Sequence, residues 1–158
     1  MSATRRDTLT GVVPHRASGY LFNGTLQNAE FTSETWAYAE GGIISTIQDL
    51  VKWEAAMSSG KILKPSSLQQ MWTPAKLRNG SPAVIGDNGH GKPNYYGLGW
   101  FISEHRGHRN VFHPGDKPGF SSTISRFPDD RLTIIVLCNN STESPAFALS
   151  LGLADLYF

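Results

Sequence analysis

From Tyr96 onward the apolar residues recur at a period of two, and only short polar connectors interrupt them. The segments "YGLGWFIS" (96–103), "NVFH" (110–113), "SSTISRF" (121–127) and "LTIIVLCN" (132–139) are joined by "EHRGHR", "PGDKPGF" and "PDDR". A period of two marks strands with one buried face. Parallel neighbours would need a crossover of about a dozen residues or more, so these strands are expected to form an antiparallel meander. "LTIIVLC" is apolar without alternation and reads as a central strand covered on both faces. "SPAFALSLGLADLYF" then closes the chain as a helix, with Ser144 as cap and Pro145 at its first position. Its apolar side needs a surface to lie on, and the sheet is the candidate. The layout is α+β, an antiparallel sheet covered by helices.

Upstream of the sheet the pattern is different. Residues 1–40 are mostly polar, and "VVPHRASGY" and "GYLFNG" suggest short extended pieces and turns. "GGIISTIQDLVKWEAAMSSGK" reads as a helix with both ends marked. Ser45 or Thr46 can cap it, Gln48 or Asp49 can answer three residues on, and Gly60 stops it. Ile47, Leu50, Val51, Glu54 and Ala55 follow helical spacing, with Trp53 and Met57 widening the stripe. "KPSSLQQMWTP" predicts a shorter helix from near Ser66 to before Pro74. The 158 residues fit one domain, with loops and helices over 1–95 and strands plus the last helix over 96–158.

Several function classes are disfavoured. Fourteen basic and thirteen acidic residues leave a net charge of +1, without the basic footprint that nucleic acid requires. No apolar run approaches the roughly 18 residues of a membrane-spanning helix, and "MSATRRDTLTG" holds no apolar leader core. Cys138 ends an apolar run and reads as a buried small residue rather than a thiol reagent. "GDNGHGKP" (86–93) has phosphate-loop spacing, but Pro93 stands where Ser or Thr belongs, and no preceding strand is predicted. His105 and His108, beside Glu104, have H-x-x-H spacing, yet Gly107 makes the stretch a solvated hairpin turn rather than a zinc site. "SSGK", Ser58 to Lys61, has the S-x-x-K spacing of a serine nucleophile and its base. That pair belongs at the start of a buried helix, and here Ser58 ends one. No cofactor and no metal is expected.

"HPG" is the stretch with chemical content. His113 on a strand can present an imidazole above a groove, and Gly115 lets a substrate backbone approach closely. The backbone N–H just beyond, at Asp116, can serve as half of an oxyanion hole. Taken together and in order, "AEGGIISTIQDLVKWEAAM", "YGLGWFI" and "HPGDKPGFSSTISRFPDDRLTIIVLCNNS" resemble the serine β-lactamase and penicillin-binding-protein-like hydrolases. The likeness is to the branch of class C β-lactamases, D-alanyl carboxypeptidases and esterases, and it spans nearly the whole chain. The resemblance implies that His113 and Gly115 stand in the H-x-G that often replaces K-T-G. It also implies that the Asp116 N–H completes the oxyanion hole. Pro114 takes the place of the middle Thr and removes a hydroxyl used in typical β-lactam carboxylate recognition.

The family's nucleophile motif, S-x-x-K, and its Y-x-N lie upstream of everything matched here. No Y-x-N or S-x-N occurs in the 158 residues, and Tyr20 to Asn23 has the wrong spacing. The resemblance therefore implies the C-terminal portion of a larger hydrolase, inactive by itself. Its complete form would take a small acyl substrate: an ester, a β-lactam or a D-alanyl peptide. The alternative is a non-catalytic truncated or degenerate relative that binds through the remaining groove. His113 is expected at a strand end facing that groove, with no side-chain-sized space over Gly115. The strand Leu132 to Cys138 is expected to offer an unpaired edge through which the chain self-associates. Family members are often exported, and the sequence leaves the compartment of this chain open.

Overall fold

The structure, a computed structural model, describes residues 1–8, 10–32, 37–88 and 91–158. The turn-rich start yields only short strands: β1 (Arg5–Arg6), β2 (Tyr20–Phe22) and β3 (Leu26–Asn28). β2 and β3 form a hairpin. A single turn, α1 (Tyr38–Gly41), leads to β4 (Ile43–Ile44), which pairs antiparallel with β1. Beside β1, Arg16 makes a two-pronged contact with the buried Asp7 carboxylate at 2.9 and 3.0 Å. The fork leaves neither oxygen of that buried charge unpaired.

Helix α2 (Ile47–Ser58) starts where its cap predicts: Thr46 is extended and its hydroxyl accepts the Asp49 N–H at 3.3 Å. Asp49 does not answer that cap. Its carboxylate is buried and takes the N–H groups of Ala3 and Thr4, both at 2.8 Å, and the Thr4 hydroxyl at 2.9 Å. Burial alone would raise its pKa, but these donors outweigh it and lower the value from 3.8 to about 2. The first segment is thereby tied to the start of α2. Helix α3 (Pro65–Met71) begins on its proline, one residue before the predicted start.

Strands β5 (Val84–Asp87), β6 (Pro93–Tyr96), β7 (Phe101–His105), β8 (His108–Lys117), β9 (Phe120–Phe127) and β10 (Leu132–Cys138) form one antiparallel sheet in that order. The expected meander is there, with four differences. "YGLGWFIS" is not one strand, because the chain turns between β6 and β7. Gly97 packs under the end of α3, where an added Cβ would run into the Met71 carbonyl oxygen. "PGDKPGF" is mostly not a connector. β8 and β9 pair to the end, Lys117 opposite Phe120, and only Pro118 and Gly119 turn. Gly119 there has φ +83°, and a Cβ on it would lie 2.7 Å from the Gly19 α-carbon. "LTIIVLC" is not the central strand its unbroken apolar run suggests but an edge, as the expectation of an unpaired Leu132 to Cys138 had it, since β10 ends the sheet. A strand does precede "GDNGHGKP", but another strand follows it, so the loop joins a hairpin and lacks the helix a phosphate loop requires.

The closing helix α4 (Pro145–Tyr157) lies on one sheet face, nearest β9 and β10. Ala146, Ser150 and Ala154 face the sheet, and their small size allows close approach. Ser144 stands at the cap position in a left-handed conformation and its side chain caps nothing. The Ser121 hydroxyl of β9 takes the Ala146 N–H instead, at 3.2 Å. Phe147 stacks on Phe112, centroids 4.2 Å apart. α2 meets the opposite face near β10. Its predicted stripe is only partly right: Asp49 and Met57 are the buried positions, while Ile47 and Val51 remain exposed.

Candidate functional site

His113 sits within β8 and not at its end, as the strand continues to Lys117. The reason is cross-strand pairing: His113 to Lys117 continue the ladder with β9 despite Pro114, whose missing N–H disqualified the stretch by propensity. On the other side the register stops, because β7 begins at Phe101 opposite Phe112. Residues 113–117 therefore pair with β9 alone among the described strands. His113 is exposed on the same face as Arg126 and Ile124.

The imidazole has two partners. Nδ1 lies 2.7 Å from the Pro114 carbonyl oxygen and Nε2 lies 3.1 Å from the Tyr96 hydroxyl. Rings surround it: Phe101 at 5.3 Å, Tyr96 at 6.2 Å and Trp100 at 6.4 Å between centroids, all tilted steeply to its plane. Two residues on, a Cβ at Gly115 would lie 2.9 Å from the Ser122 hydroxyl oxygen, which donates to the Gly115 carbonyl at 3.2 Å. The space over Gly115 is taken by the neighbouring strand. Asp116 follows, exposed.

Beneath this surface lies a buried ion pair that the sequence reading missed. Arg126, 2% exposed, bonds to Glu54 of α2 through Nη2, and Glu54 also accepts from the Thr133 hydroxyl at 3.3 Å. The guanidinium stands 4.2 Å from the Trp100 ring centre, 5.2 Å from Trp53 and 5.9 Å from Trp72. Indole faces are electron-rich and stabilise a cation that has left water. Trp53 and Trp100 stack at 6.4 Å. Glu54, in an apolar helical stripe, was the visible signal that a buried cation awaited it.

The other candidates lie elsewhere. Ser58 ends α2 and donates to Glu54 at 3.0 Å, while Lys61 lies past the helix, so the S-x-x-K spacing creates no nucleophile–base pair. His105 and His108 flank a two-residue turn, Arg106 and Gly107, both with positive φ. The turn was expected, but the histidines are not solvated: His105 reaches Asp155 at 2.8 Å, and His108 reaches Asp130 at 3.0 Å and stacks on Phe158. Among the described residues no three His, Cys, Asp or Glu side chains gather as a metal site would require. Cys138 is half-buried at the end of the edge strand, less enclosed than expected. No helix among the described residues is long and apolar enough to cross a membrane.

Comparison with known proteins bears on this arrangement. The family model described as Beta-lactamase matches residues 3–156. Penicillin-binding protein 4* of Bacillus subtilis (strain 168) is 28% identical over 107 residues, which is 66% of this chain and 21% of that protein. The penicillin-binding protein structure from Bacillus halodurans superposes with a TM-score of 0.69 at 18% identity, over 98% of this chain and 44% of that one. The D-amino acid amidase from Ochrobactrum anthropi SV3, complexed with L-phenylalanine amide, gives 0.68 at 22% identity, over 90% and 40%. At these identities the structural likeness speaks for the fold. The chain spans less than half the length of each of these relatives.

Proposed function

The chain belongs to the β-lactamase family, and on that premise we propose that it is the C-terminal part of a serine hydrolase acting by acyl transfer. It carries the wall of the active site that faces the nucleophile. In the complete enzyme a serine attacks the acyl carbon, a lysine and a tyrosine move protons, and water releases the acyl-enzyme. His113 orients the substrate, Gly115 keeps the wall low, and the Asp116 N–H is one oxyanion donor. The observation that carries this reading is the half-paired stretch 113–117 of β8, exposed on the face where His113 stands.

Esters and amides suit the wall better than β-lactams, because Pro114 offers no hydroxyl and its carbonyl is already engaged by His113. The named activity of the D-amino acid amidase agrees with an amide. Two measurements test the proposal. The purified chain should hydrolyse neither a chromogenic β-lactam nor a short-chain p-nitrophenyl ester above background. Turnover abolished by a serine-directed acylating reagent would overturn it, with Ser58→Ala the first variant to make. Coding DNA upstream should continue in frame and carry S-x-x-K and Y-x-N. An upstream stop without them would favour a non-catalytic binding module.

A further inference from the structure

A carbonyl oxygen can only accept a hydrogen bond, so the 2.7 Å contact with Pro114 requires the proton on Nδ1 of His113. In the neutral imidazole Nε2 is then an acceptor, and the group facing it at 3.1 Å is the Tyr96 hydroxyl, which donates. A free histidine side chain favours the opposite tautomer, with the proton on Nε2. An exposed histidine held the other way needs partners on both nitrogens, because what one nitrogen bonds sets the state of the other.

Tyr96 is built to be such a partner. Its backbone is held outside its own strand: its carbonyl accepts the Ala75 N–H at 2.8 Å, and its N–H donates to Ala83 at 3.1 Å. Its ring meets Phe101 edge-on at 5.0 Å. Phe101 and Trp100 in turn stand edge-on to the imidazole, and Trp100 is backed by Trp53 and the Arg126 guanidinium. The phenol oxygen is thus presented from a fixed platform to the exposed imidazole.

We propose that Tyr96 is a positioning residue for His113, holding the imidazole in its Nδ1–H tautomer with Nε2 aimed at the Tyr96 hydroxyl. On the acyl-transfer reading, which this inference uses only for its consequence, the wall then offers a directional tyrosine–histidine hydrogen bond. The lysine of K-T-G would instead offer an ammonium.

The test is a long-range proton–nitrogen correlation spectrum of the whole chain with 15N-labelled histidine, recorded where the imidazole is neutral. His113→Gln identifies the signals. The unaltered chain should show His113 predominantly as the Nδ1–H form. Tyr96→Phe keeps the ring against Phe101 and removes one oxygen, and it should shift His113 to the Nε2–H form or to an average of the two. Unchanged His105 and His108 signals would confirm that the variant is folded. An Nε2–H pattern in the unaltered chain, which needs no variant to observe, would overturn the proposal. So would an Nδ1–H pattern that survives in Tyr96→Phe, since Pro114 alone would then suffice. The spectrum is blind to catalysis, so an upstream region without nucleophile motifs would end the hydrolase reading and leave this result standing.

Discussion

Phe112 and His113 are neighbours on β8 and face opposite sides of the sheet, and the two sides have been finished differently. On the Phe112 side α4 closes the surface. Phe112 is 4% exposed between Phe101 and Phe147, Asn110 donates to Ser125 at 2.8 Å, and Ser121 caps the helix. On the His113 side, closure stops at the Glu54–Arg126 pair and its indole rings. Beyond them His113, Gly115 and Leu137 of the edge strand are exposed, as are Ile47 and Val51 of α2. One strand thus carries a face covered by α4 and a face left partly open.

The largest expected effect sets that contrast directly. Phe112→Ala should cost about 3–5 kcal/mol of stability, because the cavity lies between two rings and a helix. His113→Ala, one residue away, should cost no more than about 0.5 kcal/mol, as exposed substitutions usually do. Denaturant titration of both variants measures the difference, and similar losses would mean that the two faces are equally closed.

Glu54→Ala should cost about 3 kcal/mol, because it strands a buried guanidinium. The double variant Glu54→Ala, Arg126→Met should recover part of that loss. If the double variant is no better than the single one, the ion pair is not what completes the sheet there.

The bare side should also show itself in association. β10 is the sheet edge, and Leu137 is 42% exposed on it. We propose that a second copy pairs with this edge, by strand addition or by exchange of α4. Sedimentation across a concentration series should show mass rising with concentration, and Leu137→Lys should reduce the effect. A cooperatively unfolding monomer at high micromolar concentration would mean that the chain closes its own sheet.

The smallest effect concerns Asp49 at the packed root of α2. Its pKa is depressed, so its contribution is complete above the ordinary value of 3.8 and is lost as pH falls through about 2. The unfolding midpoint should decline over that window, and Asp49→Asn should flatten the decline. An equal decline in both proteins would place the acid sensitivity at other carboxylates.

Signals written in adjacent residues were read correctly: a cap at Ser45 or Thr46, which is Thr46, the stop near Gly60, the Arg106–Gly107 turn and the meander itself. Each depends on φ/ψ preferences and hydrogen bonds a few residues apart. The candidate site was legible only as "HPG" and its resemblance. Tyr96, seventeen positions upstream, was read as the start of a strand. Pro114 made the stretch look like a loop.

By itself, then, the sequence determined the α+β layout, the succession of β7 to β10 and α4, and the presence of an imidazole two residues before a glycine. Tertiary structure decided that β8 runs on past Pro114, that Ser121 rather than Ser144 caps α4, and that Glu54 meets Arg126. Each of these turns on which groups meet through space. Pairing with β9 supplies hydrogen bonds that outweigh a poor strand former. A buried charge settles where an opposite charge and aromatic faces are at hand, and residues 72 apart in the chain can supply them.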